Sequence, residues 1–165
     1  MASNAMRKSH SLLTVGVRWI IVVGWMCVIF FLSNESAGGS SARSGSIVAV
    51  LQAIGLEGSA ETLSTIIRKS AHVITYMVLG GLLTWAFAGY RLVTMKIIIC
   101  SIALACLFAI SDELHQALIP GRSAEVRDVL IDTVGAIVGA GVVGYIYLWL
   151  QKRFTDVEKP AKIAQ

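Results

Sequence analysis

The sequence predicts an all-α membrane protein, a four-transmembrane-helix bundle with one or two short interfacial helices in its first outer loop. Three observations predict it. Of 165 residues, 56% are hydrophobic and only 15% charged, and the mean hydropathy is +0.74, values that point to lipid rather than water as the solvent. Four runs approach or exceed the roughly 20 helical residues that a bilayer core of about 30 Å requires. The remaining polar side chains gather at the ends of those runs instead of alternating with apolar ones.

The first span, Val15 to Ser33, follows Arg7 and Lys8; Met1 to Ala5 read as an expression remnant before a natural start at Met6 and are set aside. Small residues from Ser36 to Ser41 give the run the look of a cleavable signal peptide, but its length and the internal Arg18 favour a retained anchor. The loop 34–71 is too long for a bare turn. Its start, Asn34 to Ser41, reads as a flexible or capping stretch, after which Ile47, Val50, Leu51 and Ile54 recur at helical spacing and predict a short helix in or on the outer interface. Leu63, Ile66 and Ile67 extend the pattern, either as a second short helix running into the next span or as one helix broken between Gly55 and Ser59.

The second span runs from His72 to Gly89 and the third from Lys96 to Gln116. The strictly apolar centre of the third, Ile97 to Ser111, is short, so Lys96 snorkels at one end and Ser111 to Gln116 carry the helix to the interface at the other. A second outer loop, 117–128, contains Pro120-Gly121-Arg122 and Ser123 as the expected N-cap. The fourth span, Val129 to Leu150, leads into a tail, 151–165, and the whole chain reads as one integral membrane domain.

Four spans put both termini on one side. Arg7, Lys8, Arg91, Lys96, Lys152, Arg153, Lys159 and Lys162 all fall on that side, which the positive-inside rule makes cytoplasmic. The outer loops mix Arg43, Arg68, Lys69, Arg122 and Arg127 with Glu35, Glu57, Glu61, Asp112, Glu113, Glu125 and Asp128, close to neutrality. The net charge of +4 therefore reflects anchoring to anionic lipid, and the absence of a basic stripe argues against a nucleic-acid partner. Trp19, Trp85, Tyr90, Tyr145, Tyr147 and Trp149 lie near span ends as interfacial aromatics do, with Trp25 an exception. Cys27, Cys100 and Cys106 sit inside spans without paired spacing and read as small hydrophobes.

Helices in lipid approach through small residues. Gly80, Thr84 and Ala88 form one stripe, Ser101, Ala105 and Ala109 another, and Gly135, Gly139, Ala140 and Gly144 a third. They read first as packing faces within the bundle, with a homodimer left open.

The polar residues converge on the outer ends of three spans. Lys69, His72 and Tyr76 share one helical face beside Arg68; Asp112 and Gln116 share another beside Ser111, Glu113 and His115; Glu125, Asp128 and Asp132 stand at the start of the fourth helix. Asp132 lies about one turn inside its span, where an ionised carboxylate needs a partner, with Arg68, Lys69, Arg122 or His72 the candidates. Several uses stay open. The groups form an ion-pair network without ligand, or a recognition site in which Arg68, Lys69 and Arg122 grip an anion and Asp112, Glu113 and Asp128 an ammonium. Alternatively His72 or His115 serves as a general base, beside Ser111 or Tyr76, with Asp112 or Glu113 orienting it. No cofactor is predicted; Asp112 with His115 is the one ligand-like spacing for a divalent metal, without an HExxH motif.

Taken together, Arg68-Lys69-xx-His72-xxx-Tyr76-xx-Leu79-Gly80, Ser111-Asp112-Glu113-Leu114-His115-Gln116, Pro120-Gly121-Arg122 and Asp128 followed by Asp132 and Gly135 resemble the VanZ-like family of small bacterial membrane proteins. The likeness extends from the Phe30-Phe31-Leu32-Ser33-Asn34 exit of the first span to the end of the fourth. At 132 the chain carries aspartate where asparagine is expected of the family, which increases the demand for a cationic partner. The resemblance implies a multi-pass protein of the bacterial cytoplasmic membrane and, through the eponymous member, a link to teicoplanin resistance.

The expected function is an outward-facing site, built from Arg68, Lys69, His72, Tyr76, Ser111, Asp112, Glu113, Gln116, Arg122, Asp128 and Asp132, for a glycopeptide, lipid or cell-wall precursor. An embedded hydrolase or transferase using His72, Asp112, Glu113 or His115 is the alternative, and a small transporter the third.

Overall fold

Five helices follow one another: α1 (Ala2–Ser33), α2 (Ala37–Ala53), α3 (Ala60–Phe87), α4 (Met95–Gln116) and α5 (Val126–Glu158). They come from a computed structural model that describes residues 2–34, 37–90 and 92–158. Glu35, Ser36, Arg91, Lys159 and Lys162, all used in the sequence reading, lie outside the described residues. Four segments are long and apolar enough to cross a membrane: Leu12–Ser33, Ala60–Phe87, Met95–Gln116 and Val126–Phe154. The 33 residues of α5 would span about 50 Å at 1.5 Å per residue, so α5 must tilt or project beyond a bilayer core.

α3 is the central helix and packs against each of the other four. Its neighbour α5 runs parallel to it, and the two approach through glycine. A Cβ on Gly80 would overlap the Ala136 carbonyl oxygen, one on Gly135 the Val73 oxygen, and one on Gly139 the Met77 oxygen. Backbone contact of this closeness gives dispersion a full set of partners where no hydrophobic force drives helices together. Gly144 similarly receives the Ile98 side chain of α4, and Ser101, Ala105 and Ala109 are fully buried. All three small-residue stripes are thus occupied within the chain, apart from the half-buried Ala88.

The core comprises Tyr76, Leu79, Leu83 and Ala86 of α3, Ala105 and Ala109 of α4, Ala136 of α5, and Val22 and Ile29 of α1. Outside it, Ile20 and Phe31 of α1, Leu107 of α4, and Leu130 and Val142 of α5 are exposed, the reverse of a soluble protein and the arrangement lipid requires. Two polar groups within the first span are held by backbone. Arg18 Nη1 donates to the Trp85 carbonyl at 2.8 Å, with its guanidinium 4.9 Å from the Trp85 ring centre, and the Trp25 indole donates to the Thr75 carbonyl at 2.9 Å. The second contact accounts for a tryptophan away from the span ends.

The loop 34–71 differs from expectation. Helix α2 already begins at Ala37, so the glycine- and serine-rich stretch is helical from that point instead of flexible, and Leu63, Ile66 and Ile67 belong to α3 rather than to a separate helix. Packing overrides weak propensity here. Ser44 and Val48, one turn apart, are buried where α2 lies against α3, while Ile47, Val50 and Ile54 face outward. The chain turns between α2 and α3 at Gly55 and Gly58, and Ser59 caps α3 by accepting from the Thr62 N–H at 3.3 Å.

Candidate functional site

Because α3 and α5 run parallel, their polar starts sit at the same end of the bundle, where α4 and α1 finish. Each member of the Lys69, His72, Tyr76 face meets one carboxylate there. Lys69 Nζ lies 2.7 Å from Asp128 Oδ1, His72 Nδ1 3.4 Å from Asp132 Oδ1, and the Tyr76 hydroxyl donates to Asp112 Oδ2 at 3.4 Å. Asp112 Oδ2 also accepts from Gln116 Nε2 at 3.1 Å and from Ser33 Oγ at 2.8 Å. Three donors on one oxygen, from the ends of α1 and α4 and the middle of α3, tie these helices to a single buried carboxyl.

The loop into α5 is fixed by two further contacts. Gly121 adopts φ +80, a left-handed conformation that glycine tolerates without a Cβ clash, and the Arg122 N–H closes the turn on the Ile119 carbonyl at 3.1 Å. Arg122 Nη1 then donates to the Ser33 carbonyl at 2.8 Å, satisfying an acceptor at the C-terminus of α1. At the start of α5, Glu113 Oε2 accepts from the Glu125 N–H at 3.0 Å. A carboxylate from α4 therefore caps this helix, correcting the expectation that Ser123 does so. Ser123 stands three residues before Val126, too far out to reach the first-turn amides from the N-cap position.

The structure leaves some polar atoms unsatisfied. Asp132 is fully buried, and neither of its carboxylate oxygens has a hydrogen-bond partner among the described residues; Asp112 Oδ1 and Glu113 Oε1 also lack one. Arg68, half-buried, makes no hydrogen bond or ion pair with any described residue. Two cavities adjoin these groups. One of about 130 Å³ is polar, walled by Lys69, Gln116, Ser123, Glu125, Asp128 and Asp132. The other, of about 140 Å³, is mainly apolar and lies between α1, α2 and α3 against Ile29, Leu32, Ile47, Ile67 and Ala71, with Ser33, Ser44 and Thr75 adding hydroxyls. Arg68, His72 and Arg122 line both.

Of the residues singled out from sequence, Arg68, Lys69, His72, Gln116, Arg122, Asp128 and Asp132 line the polar cavity. Tyr76, Asp112 and Glu113 stand behind it as buried supports. Ser111 is set apart: it is exposed and its hydroxyl donates to the Phe108 carbonyl at 2.8 Å. His115 stacks on Phe30 of α1 with ring centres 4.3 Å apart, so the pairing of histidine with carboxylate falls to His72 with Asp132, not to His115 or to the α4 acids. Among the described residues no group of three or more His, Cys, Asp or Glu side chains is arranged to hold a metal ion. Ser33 is the participant the sequence reading passed over. Its signals were a place in the Phe30-to-Asn34 exit of the first span and a hydroxyl in the last turn of an apolar run, and neither pointed to Asp112.

Fold and site define a small multi-pass helical membrane protein, with a polar pocket walled by helix ends. Residues 18–150 match the family described as VanZ/LLP1, and the chain belongs to that family. No curated protein and no solved structure shows significant similarity to it.

Proposed function

We propose that this VanZ-family protein is a binding protein of the bacterial cell envelope, whose polar pocket opens at the outer face of the cytoplasmic membrane and recognises the head group of an extracellular or outer-leaflet ligand. The observation that carries the reading is Asp132, a fully buried carboxyl on the wall of a cavity, whose oxygens accept no hydrogen bond from the described residues and whose one ionic neighbour among them is His72, 3.4 Å from Oδ1. A structural ion-pair network gains most when its buried acceptors are filled, whereas a binding site keeps acceptors for its ligand. Sidedness is supported by Lys96, Lys152 and Arg153, which lie toward the opposite ends of α4 and α5 from the pocket. A thermal-shift screen of purified protein against glycopeptides, lipid-linked precursors and phospholipids tests the reading. A hit that disappears in both His72→Ala and Asp132→Ala is expected, and no hit, or one insensitive to both changes, refutes it.

A contribution to glycopeptide resistance of the teicoplanin kind is the finer form of this proposal, and it rests on family resemblance alone. Expression in a susceptible host that leaves teicoplanin sensitivity unchanged would remove it.

One contact favours a second reading. With Asp132 beside its Nδ1 and both cavities against its ring, His72 has the carboxylate-oriented setting of a general base for a hydrolase or transferase acting on an envelope lipid or peptide. Activity lost in His72→Gln while melting is unchanged is the expected result. Turnover that persists in that variant excludes the role.

A further inference from the structure

The two cavities differ in chemistry and meet at three residues, Arg68, His72 and Arg122, none of them acidic. Beyond this junction in one direction the lining is mainly apolar, with Ile29, Leu32, Ile47, Ile67 and Ala71 outnumbering the hydroxyls of Ser33, Ser44 and Thr75, and Leu32 and Ile47 are exposed. In the other direction stand the carboxylates of Glu125, Asp128 and Asp132. Among the described residues Arg68 has no partner, and Arg122 is engaged at one guanidinium nitrogen. Asp128 is taken up by Lys69, and Asp132 stands next to His72. Among the described residues that line the two cavities, the positive charge left over is therefore at the junction, and the carboxylate oxygens without a hydrogen bond are on the polar side.

From this order we infer that the ligand is a phosphodiester amphiphile: a hydrocarbon chain lies between α1, α2 and α3, its phosphate sits between Arg68 and Arg122, and a head bearing hydroxyl or ammonium donors faces Asp132. The inference rests on the proposed head-group site and names its substrate class. Two guanidinium groups, each able to present paired N–H donors, match the oxygens of a phosphate better than a single carboxylate. The aliphatic lobe rewards burial of a chain, which a free phosphate lacks. The donor-bearing head supplies the hydrogen bonds that the Asp132 oxygens do not receive from the described residues.

Isothermal titration of the full chain in a neutral detergent separates these contributions with four probes. Lysophosphatidylethanolamine carries chain, phosphate and ammonium; monoacylglycerol lacks the phosphate; glycerophosphoethanolamine lacks the chain; inorganic phosphate lacks both chain and head. The expected result is binding of lysophosphatidylethanolamine at least about tenfold tighter than any of the other three. Arg68→Gln, which breaks no contact with a described residue, should weaken lysophosphatidylethanolamine binding about tenfold or more and leave monoacylglycerol unaffected. Ile47→Trp, filling the aliphatic lobe, should weaken lysophosphatidylethanolamine and leave glycerophosphoethanolamine unaffected. Equal affinity for monoacylglycerol, or no effect of Arg68→Gln, overturns the phosphate assignment, and equal affinity for glycerophosphoethanolamine or inorganic phosphate overturns the chain assignment. If a glycopeptide binds in an Asp132-dependent manner while lysophosphatidylethanolamine does not, this inference falls and the head-group site stands. If no envelope ligand binds, both fall.

Discussion

Replacing Gly139 with alanine tests the tightest glycine contact among the described residues and the site that depends on it. A Cβ at this position would overlap the Met77 carbonyl oxygen, stand 2.6 Å from the Met77 carbonyl carbon and 3.1 Å from the Gly81 nitrogen, whereas ordinary contact begins at 3.4 Å. Every obstructing atom is backbone, so no side chain can rotate away, and α3 and α5 must part by on the order of 1 Å. Overpacking of this kind costs about 1–3 kcal/mol, and a clash with backbone belongs at the upper end. At about 2–4 °C per kcal/mol for a chain of this size, Gly139→Ala should melt about 6–12 °C below the parent in detergent. Gly141 on the same helix is the control, since a Cβ there meets nothing within 4 Å. With alanine favoured over glycine in a helix by about 1 kcal/mol, Gly141→Ala should melt at or slightly above the parent. Equal melting temperatures for the two variants would refute the glycine-mediated approach of α3 to α5, and with it the register that brings Lys69 to Asp128 and His72 to Asp132.

The polar end of the bundle supplies three more predictions. Lys69→Ala should cost no more than about 1 kcal/mol, because the Lys69 and Asp128 side chains remain 25% and 31% exposed, whereas His72→Ala, which strips the neighbour from a fully buried carboxyl, should cost about 3 kcal/mol or more; reversal of that order in chemical denaturation would contradict the assigned burial. Adding Asp132→Asn to His72→Ala should recover about 1 kcal/mol or more, and a double variant no more stable than His72→Ala alone would show that the pair is not the source of the loss. Glu113→Ala, which deprives the Glu125 N–H of its acceptor, should cost about 1 kcal/mol, and Glu113→Gln less, since an amide oxygen still accepts; the idea fails if hydrogen exchange in the first turn of α5 is equal in the two variants.

Much of the site was legible because helical periodicity is local. The i, i+3, i+7 spacing of Lys69, His72 and Tyr76 presents three donors along one face whatever surrounds them, and a carboxylate inside an apolar run must turn toward a partner. The partner itself was not legible. Four cations or potential cations stood as candidates for Asp132, and only the parallel register of α3 and α5 selects His72 while giving Asp128 to Lys69. The same limit hid the cap of α5, since Glu113 is 12 positions from Glu125 and on another helix, and the role of Ser33, 79 positions from Asp112.

Composition and run length by themselves determined a membrane protein of four spans, because a bilayer imposes a fixed apolar length that a linear sequence displays directly. The same local information located the small-residue stripes and the polar ends. Tertiary structure alone decided which charges remain over after pairing. That depends on the angular setting and register of neighbouring helices, and these follow from backbone contact at Gly80, Gly135 and Gly139 rather than from the charged residues themselves. Arg68 at the junction of an aliphatic and a polar cavity is therefore a product of helix packing, invisible in a sequence where Arg68 and Lys69 are simply adjacent cations.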